Sequence, residues 1–195
     1  MKTLFIGILL LISIHSWADS ISIGTVAIEP SAPMTYASQD TRLQYNHGDK
    51  EYTFLAFEQM HICPDYCGVT YNLYGLGLGN HIKLDKISLF VQGGFYYVKN
   101  NVGYQANNEN LYYYMINRFN GARPMSFTGY RVDNGNALAA QIGLDIPLSK
   151  DLSFQFYYRH LQFWTNIVAY LDGGYWHDPM TVKYNGYGFN LTYHF

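Results

Sequence analysis

After its first 18 residues the chain has no apolar run long enough to cross a bilayer as a helix. It also has little charge: 12 Lys and Arg against 14 Asp and Glu, 13% of 195 residues, for a net charge of −2. That slight acidity argues against a nucleic-acid partner, which needs a basic surface. Cysteine is nearly absent. Cys63 and Cys67 are the only two, and they leave three options: a disulfide closing a small loop over Pro64-Asp65-Tyr66, two free thiols, or a weak metal pair; an exported chain favours the disulfide. The seven histidines offer no metal-ligand spacing either. His47, His61, His81, His177 and His194 stand singly, and His177-Asp178 is the nearest approach to a pair. No metal and no cofactor are expected.

The N-terminus is the one strongly apolar segment. Lys2, the apolar run from Leu4 to Ile14 and the small-x-small triplet Ser16-Trp17-Ala18 form a secretory signal peptide over residues 1–18, too short in its apolar centre to span a membrane. The mature chain is expected to start at Asp19 and, with no cysteine there, to lack a lipid anchor. The remaining 177 residues (195 − 18) make one domain on length. Their composition is rich in what strands and tight packing need: 18% aromatic, with 20 Tyr and 18 Gly. Mean hydropathy is nevertheless close to neutral, as when apolar and polar residues alternate.

The alternation is clearest at the C-terminus. Tyr187, Phe189, Leu191, Tyr193 and Phe195 interleave with Gly188, Asn190, Thr192 and His194, the period of a strand with one apolar face. Two hairpins repeat it. Val69–Leu84 and Ile87–Lys99, joined at Asp85-Lys86, place Ile82 against Leu89 and Leu76 against Phe95 on one face, with Gly79 against Gln92, Gly77 against Gly94 and Gly75 against Tyr96 on the other. A turn at Ser149-Lys150-Asp151 sets Ile146 against Phe154, Leu144 against Phe156 and Ile142 against Tyr158, with Asp145 against Gln155, Gly143 against Tyr157 and Gln141 against Arg159 behind them.

Strands are expected at 20–28, 34–45, 50–61, 69–83, 87–99, 137–148, 152–164 and 183–195. Met34–Tyr45 is the least regular, carrying Asp40 and Arg42 with loose alternation. Short turns at 46–49, 85–86 and 149–151 fall at the end that holds both termini. The longer connections, including 100–136 and 165–182, fall at the other.

A chain ending on Phe after such alternation resembles the small, eight-stranded outer-membrane β-barrel proteins of Gram-negative bacteria. The resemblance implies an all-β, antiparallel, up-and-down transmembrane barrel, a monomer in contact with outer-membrane lipids and lipopolysaccharide. It also implies that Tyr187, Phe189, Leu191, Tyr193 and Phe195 are what the outer-membrane assembly machinery reads. Alternation alone leaves the facing open: a soluble lipocalin-like carrier would turn Leu148, Ile146 and Phe154 inward and Asp145, Gln155 and Arg159 to water. The resemblance and the Gly, Gln, Tyr and Ser content of the polar face favour apolar-out, with Gln92, Tyr96, Gln141, Tyr157, Arg159, Asn190, Thr192 and His194 filling the lumen and Asp145 and Arg159 as partial charge partners.

Candidate binding residues lie in the connections: Tyr112, Tyr113, Tyr114, Arg118 and Arg123, with Trp176 in the last, a mixture suited to a protein partner or to anionic sugars and phosphates. In size, strand count and the place of His160, the chain is also similar to the lipid A deacylases. It departs where their chemistry lies, since Gln162 stands at the serine position, Phe163 at the asparagine position, and the last strand has no carboxylate. A deacylase centred on His160, with Thr165 and Asp178 in an unusual geometry, is the enzymatic alternative to a non-catalytic structural or surface-interaction role.

Overall fold

The computed structural model describes residues 19–30, 38–62, 69–101, 105–106, 127–171 and 174–195. Among them are ten strands: β1 (Asp19–Pro30), β2 (Ser38–His47), β3 (Glu51–Ile62), β4 (Val69–Leu84), β5 (Ile87–Asn100), β6 (Gln105–Ala106), β7 (Phe127–Val132), β8 (Gly135–Pro147), β9 (Leu152–Leu171) and β10 (Gly174–His194). Every pairing is antiparallel, and eight strands form a ring in the order β1-β2-β3-β4-β5-β8-β9-β10, closed where β10 pairs with β1.

The ring is staggered. Following Cα partners from Ser20 through Asn46, Phe54, Gly77, Gly94, Ala139, Leu161 and Tyr184 returns to β1 at Pro30, ten residues further on (30 − 20). With eight strands, that stagger sets a strand tilt of about 40° and a lumen just wide enough for side chains to fill.

Turn chemistry fixes the hairpins. Asp85 takes a positive φ of 51° between β4 and β5, a conformation Asp tolerates. Gly48 takes φ 107° between β2 and β3, where a side chain would meet the backbone of Glu51. The resulting registers are those expected from the sequence, Leu84 opposite Ile87 and Ile146 opposite Phe154. The turns 48–50, 85–86 and 148–151 share one end with both termini, hereafter the terminal end.

The facing is apolar-out. Leu78 (68% exposed), Leu76, Ile142, Ile146, Phe189 and Leu191 cover the wall, and Phe154 is half-buried on the same face. Asp145, Gln155 and Arg159 are buried in the lumen. A carrier barrel with a greasy interior has the opposite arrangement. Glycines make room inside: a Cβ on Gly75 would enter the Tyr96 ring, and one on Gly79 the Tyr52 ring, so small residues stand beside large ones on adjacent strands of the inner face.

Two expectations change. Residues 165–182, read as a loop, are strand on both sides of residues 172–173, because β9 and β10 pair from Tyr193↔Leu152 up to Gly174↔Leu171. Ten β10 residues, 174–183, lie above the level at which β1 ends, about 30 Å of ribbon along the strand. β7 adds to this ribbon along β9, from Phe127↔Leu171 to Val132↔Ile167, and β6 adds to β7. Second, the strand expected over 34–45, with Asp40 and Arg42 in it, is present in the ring but continues through Asn46 and His47, which were read as turn, and both charges point inward.

Candidate functional site

The lumen is layered along its axis. Nearest the terminal end is a polar mouth, above it a belt of amides and tyrosines, then a cluster of charges, and finally an apolar layer toward the long connections.

The charged cluster is the most unusual part of a chain with so few charges. Arg42, Glu58, Arg159 and Asp40 are each at most 2% exposed. Arg42 Nε lies 3.3 Å from Glu58 Oε1, Arg159 Nη2 2.6 Å from Glu58 Oε2, and Arg159 Nη1 3.0 Å from Asp40 Oδ2. Two cations and two anions thus cancel within one group. That cancellation is what permits burial, since a buried charge left alone carries a desolvation penalty of several kcal/mol. Aromatic rings complete the setting: the Arg159 guanidinium lies 5.4 Å from the Tyr96 ring centroid and that of Arg42 5.9 Å from Phe54. Arg42 also donates from Nη2 to Tyr96 Oη (3.3 Å) and to Gln44 Oε1.

Below the cluster, amides tie strand to strand across the lumen. Gln92 donates to Gln44 Oε1 (3.2 Å) and to Gln141 Oε1, and accepts from Tyr52 Oη (2.9 Å). Asn190 donates to Gln155 Oε1 (3.0 Å) and accepts from Tyr157 Oη (3.2 Å). Above the cluster, Met60, Leu73, Val98, Leu161, Phe163 and Tyr184 close the section with carbon. A solute would have to disrupt both the ion cluster and this layer to pass.

The expected lumen filling is borne out for Gln92, Tyr96, Gln141, Tyr157, Arg159, Asn190 and Thr192, all buried. The expected Asp145–Arg159 pairing is not found. Their β8 and β9 partners are Gln155 and Gln141, so Asp145 sits lower, accepting from Gln155 Nε2 (3.0 Å), while Arg159 reaches Asp40 and Glu58. Sequence reading missed Asp40, Arg42 and Glu58 as a site. The available signal was Asp40 and Arg42 alone, charged at alternate positions of one strand.

His160 faces the outer wall, half-buried, with Nδ1 2.7 Å from Asn185 Oδ1 on β10. Thr165 and Asp178 take the inward phase instead, and the Thr165 hydroxyl donates to the Asp133 carbonyl (2.6 Å). The backbone therefore turns these three groups to opposite faces. Trp176 lies half-buried in the ribbon against the apolar cluster. Tyr112, Tyr113, Tyr114, Arg118, Arg123, Cys63 and Cys67 lie outside the described residues. Tyr187, Phe189, Leu191, Tyr193 and Phe195 all project outward, each 44–61% exposed.

No protein-family model matches the chain, and no curated protein matches its sequence. Solved structures do match. Neisserial surface protein A superposes with a TM-score of 0.62 at 6% identity, over 91% of this chain and 97% of that one. The AlkL outer membrane protein, determined in lipid bilayers, gives 0.59 at 11% identity over 93% and 92%. The outer membrane protein OprG from Pseudomonas aeruginosa gives 0.56 at 14% identity over 93% and 98%. At such identities the likeness is one of fold: the chain has the architecture of the small outer-membrane β-barrels.

Proposed function

We propose that this chain is an integral outer-membrane protein, exported by residues 1–18, that serves as a closed structural barrel and presents an interaction surface outside the cell. The carrying observation is the lumen, sealed by the Arg42–Glu58–Arg159–Asp40 cluster and by the apolar layer above it. The exposed apolar wall supports residence in lipid. On this reading acyl chains and lipopolysaccharide surround the barrel, and the β9–β10 ribbon with the segment holding Tyr112, Tyr113, Tyr114, Arg118 and Arg123 is what a partner meets.

Two measurements test this. Folded protein inserted into a planar bilayer should carry no steady current of pore size; a stable open channel overturns the closed-barrel reading. Tyr175→Cys, at an outward position of the ribbon, in a Cys63→Ser, Cys67→Ser background should react with a membrane-impermeant maleimide on intact cells. Labelling only after lysis would reverse the orientation.

A further inference from the structure

The terminal mouth holds a pocket of about 350 Å3 whose lining includes Asp19, Asp49, His81, Asp145, Lys150 and His194. His81 is fastened to the β2–β3 turn at two points: its backbone N–H donates to Lys50 O (2.7 Å), and its ring Nδ1 lies 3.1 Å from Asp49 O. A carbonyl oxygen only accepts, so Nδ1 carries hydrogen and, in the neutral ring, Nε2 is a bare lone pair. Stacking on Tyr52 (centroids 4.9 Å, 28°) and an edge contact with Phe90 fix the ring plane.

Nε2 faces Asp145. It lies 3.5 Å from Oδ2 and has no hydrogen-bond partner among the described residues. Asp145 is 7% exposed, and its Oδ1 has no partner there either. A lone pair held against a carboxylate is repulsive unless a cation stands between them. At 3.5 Å the pair is within ion-pair reach if the ring is protonated, so the bridging cation is either a proton or a metal ion. Two donors about 2.1 Å from a tetrahedral Zn2+ stand roughly 3.4 Å apart, close to the observed spacing. A ring N–H given to a backbone carbonyl is also the usual support of a metal-binding histidine.

We propose that His81 Nε2 and the Asp145 carboxylate hold a divalent transition-metal cation of the Zn2+ type at the terminal mouth. An imidazole with a carboxylate suits such an ion better than Ca2+ or Mg2+, which take oxygen shells. The mouth is acidic, with Asp19, Asp49 and Asp145 against Lys150, but Asp19 is engaged by Tyr45 Oη (2.7 Å) and His47 Nδ1 (2.8 Å). No group of three or more His, Cys, Asp or Glu is arranged for a metal among the described residues. The ion therefore has two protein donors, completes its shell with water, and exchanges with the compartment below.

The test uses the full barrel folded in detergent and zinc chloride alone, followed by calorimetric titration, with heat-modifiable migration as the check on folding. One Zn2+ per chain is expected. Binding is lost in His81→Ala and in Asp145→Asn, which keeps the bond from Gln155, and is unchanged in His177→Ala at the far end. If His81→Ala does not fold, the near-isosteric Asp145→Asn decides. No zinc uptake by the native chain, or uptake undiminished in the variants, overturns the proposal. Elevated His81 titration by NMR without zinc uptake assigns the bridge to a proton and also overturns it.

Discussion

Arg159 on β9 and Asp40 on β2 stand 119 positions apart in the chain and 3.0 Å apart inside the barrel. Neither strand adjoins the other in the ring, so the contact spans the lumen and exists only once the ring has closed. The ion cluster is therefore a consequence of closure as well as a seal.

Removing one member should leave a charge buried without its partner. Arg159→Met is expected to destabilise the folded barrel by about 3–5 kcal/mol in urea unfolding, because Asp40 and Glu58 then share Arg42 alone. Asp40→Leu with Arg159→Met restores the balance between Arg42 and Glu58, and should lose less than Arg159→Met does. Equal losses in the single and double variants would mean that charge is not what the cluster supplies.

Glycine opposite tyrosine gives a second expectation. A Cβ on Gly75 would run into the Tyr96 ring, which also receives the Arg42 bond and lies beneath Arg159. Gly75→Val should therefore cost about 1–3 kcal/mol by overpacking. Gly93→Ala on the neighbouring strand, where the added carbon meets only the Ala139 carbonyl at 3.8 Å, should be near neutral by the same unfolding measurement.

How far the sequence specified this outcome differs by segment. The β4–β5 and β8–β9 registers were readable because a two- or three-residue turn leaves one pairing that keeps Ile82, Leu89, Ile146 and Phe154 on one face. β2 was hard to read because Asp40 and Arg42 are justified by Glu58 and Arg159, on other strands, and local alternation carries no trace of them. The β9–β10 ribbon was missed for a different reason. Ile167, Val168 and Ala169 are all buried in succession, so both faces are covered there and period-two contrast disappears. Asp172-Gly173-Gly174 then reads in the sequence as the middle of a loop, although Gly174 still pairs with Leu171. His81 was read as a single residue and Asp145 as a partner of Arg159, since the apposition of His81 and Asp145 depends on the stagger of the ring.

The exposed wall separates a lipid environment from water. Leu78, midway up the wall and 68% exposed, should tolerate Arg readily if it faces solvent. In a bilayer, Leu78→Arg is expected to destabilise by about 2–4 kcal/mol, and Leu84→Arg, at the terminal rim, by about 0–1 kcal/mol. Unfolding from phospholipid vesicles measures both, and equal small effects at the two depths would remove the wall from the membrane.

The last prediction concerns Phe195. Its backbone N–H donates to Asp19 O (2.9 Å), which fastens the chain end to β1, while its ring stays half exposed and meets only Tyr193 edge-on (5.3 Å) among the ring contacts of the described residues. The side chain thus adds little to the folded barrel, and the role we propose for it is in assembly. Phe195→Ser should leave urea stability after refolding in detergent within about 0.5 kcal/mol, the range of surface changes, yet sharply reduce the amount of folded protein recovered from the outer membrane of expressing cells. If instead stability in detergent falls while cellular assembly is normal, Phe195 is a structural clasp on β1, and recognition of Tyr187, Phe189, Leu191, Tyr193 and Phe195 by assembly machinery loses its support.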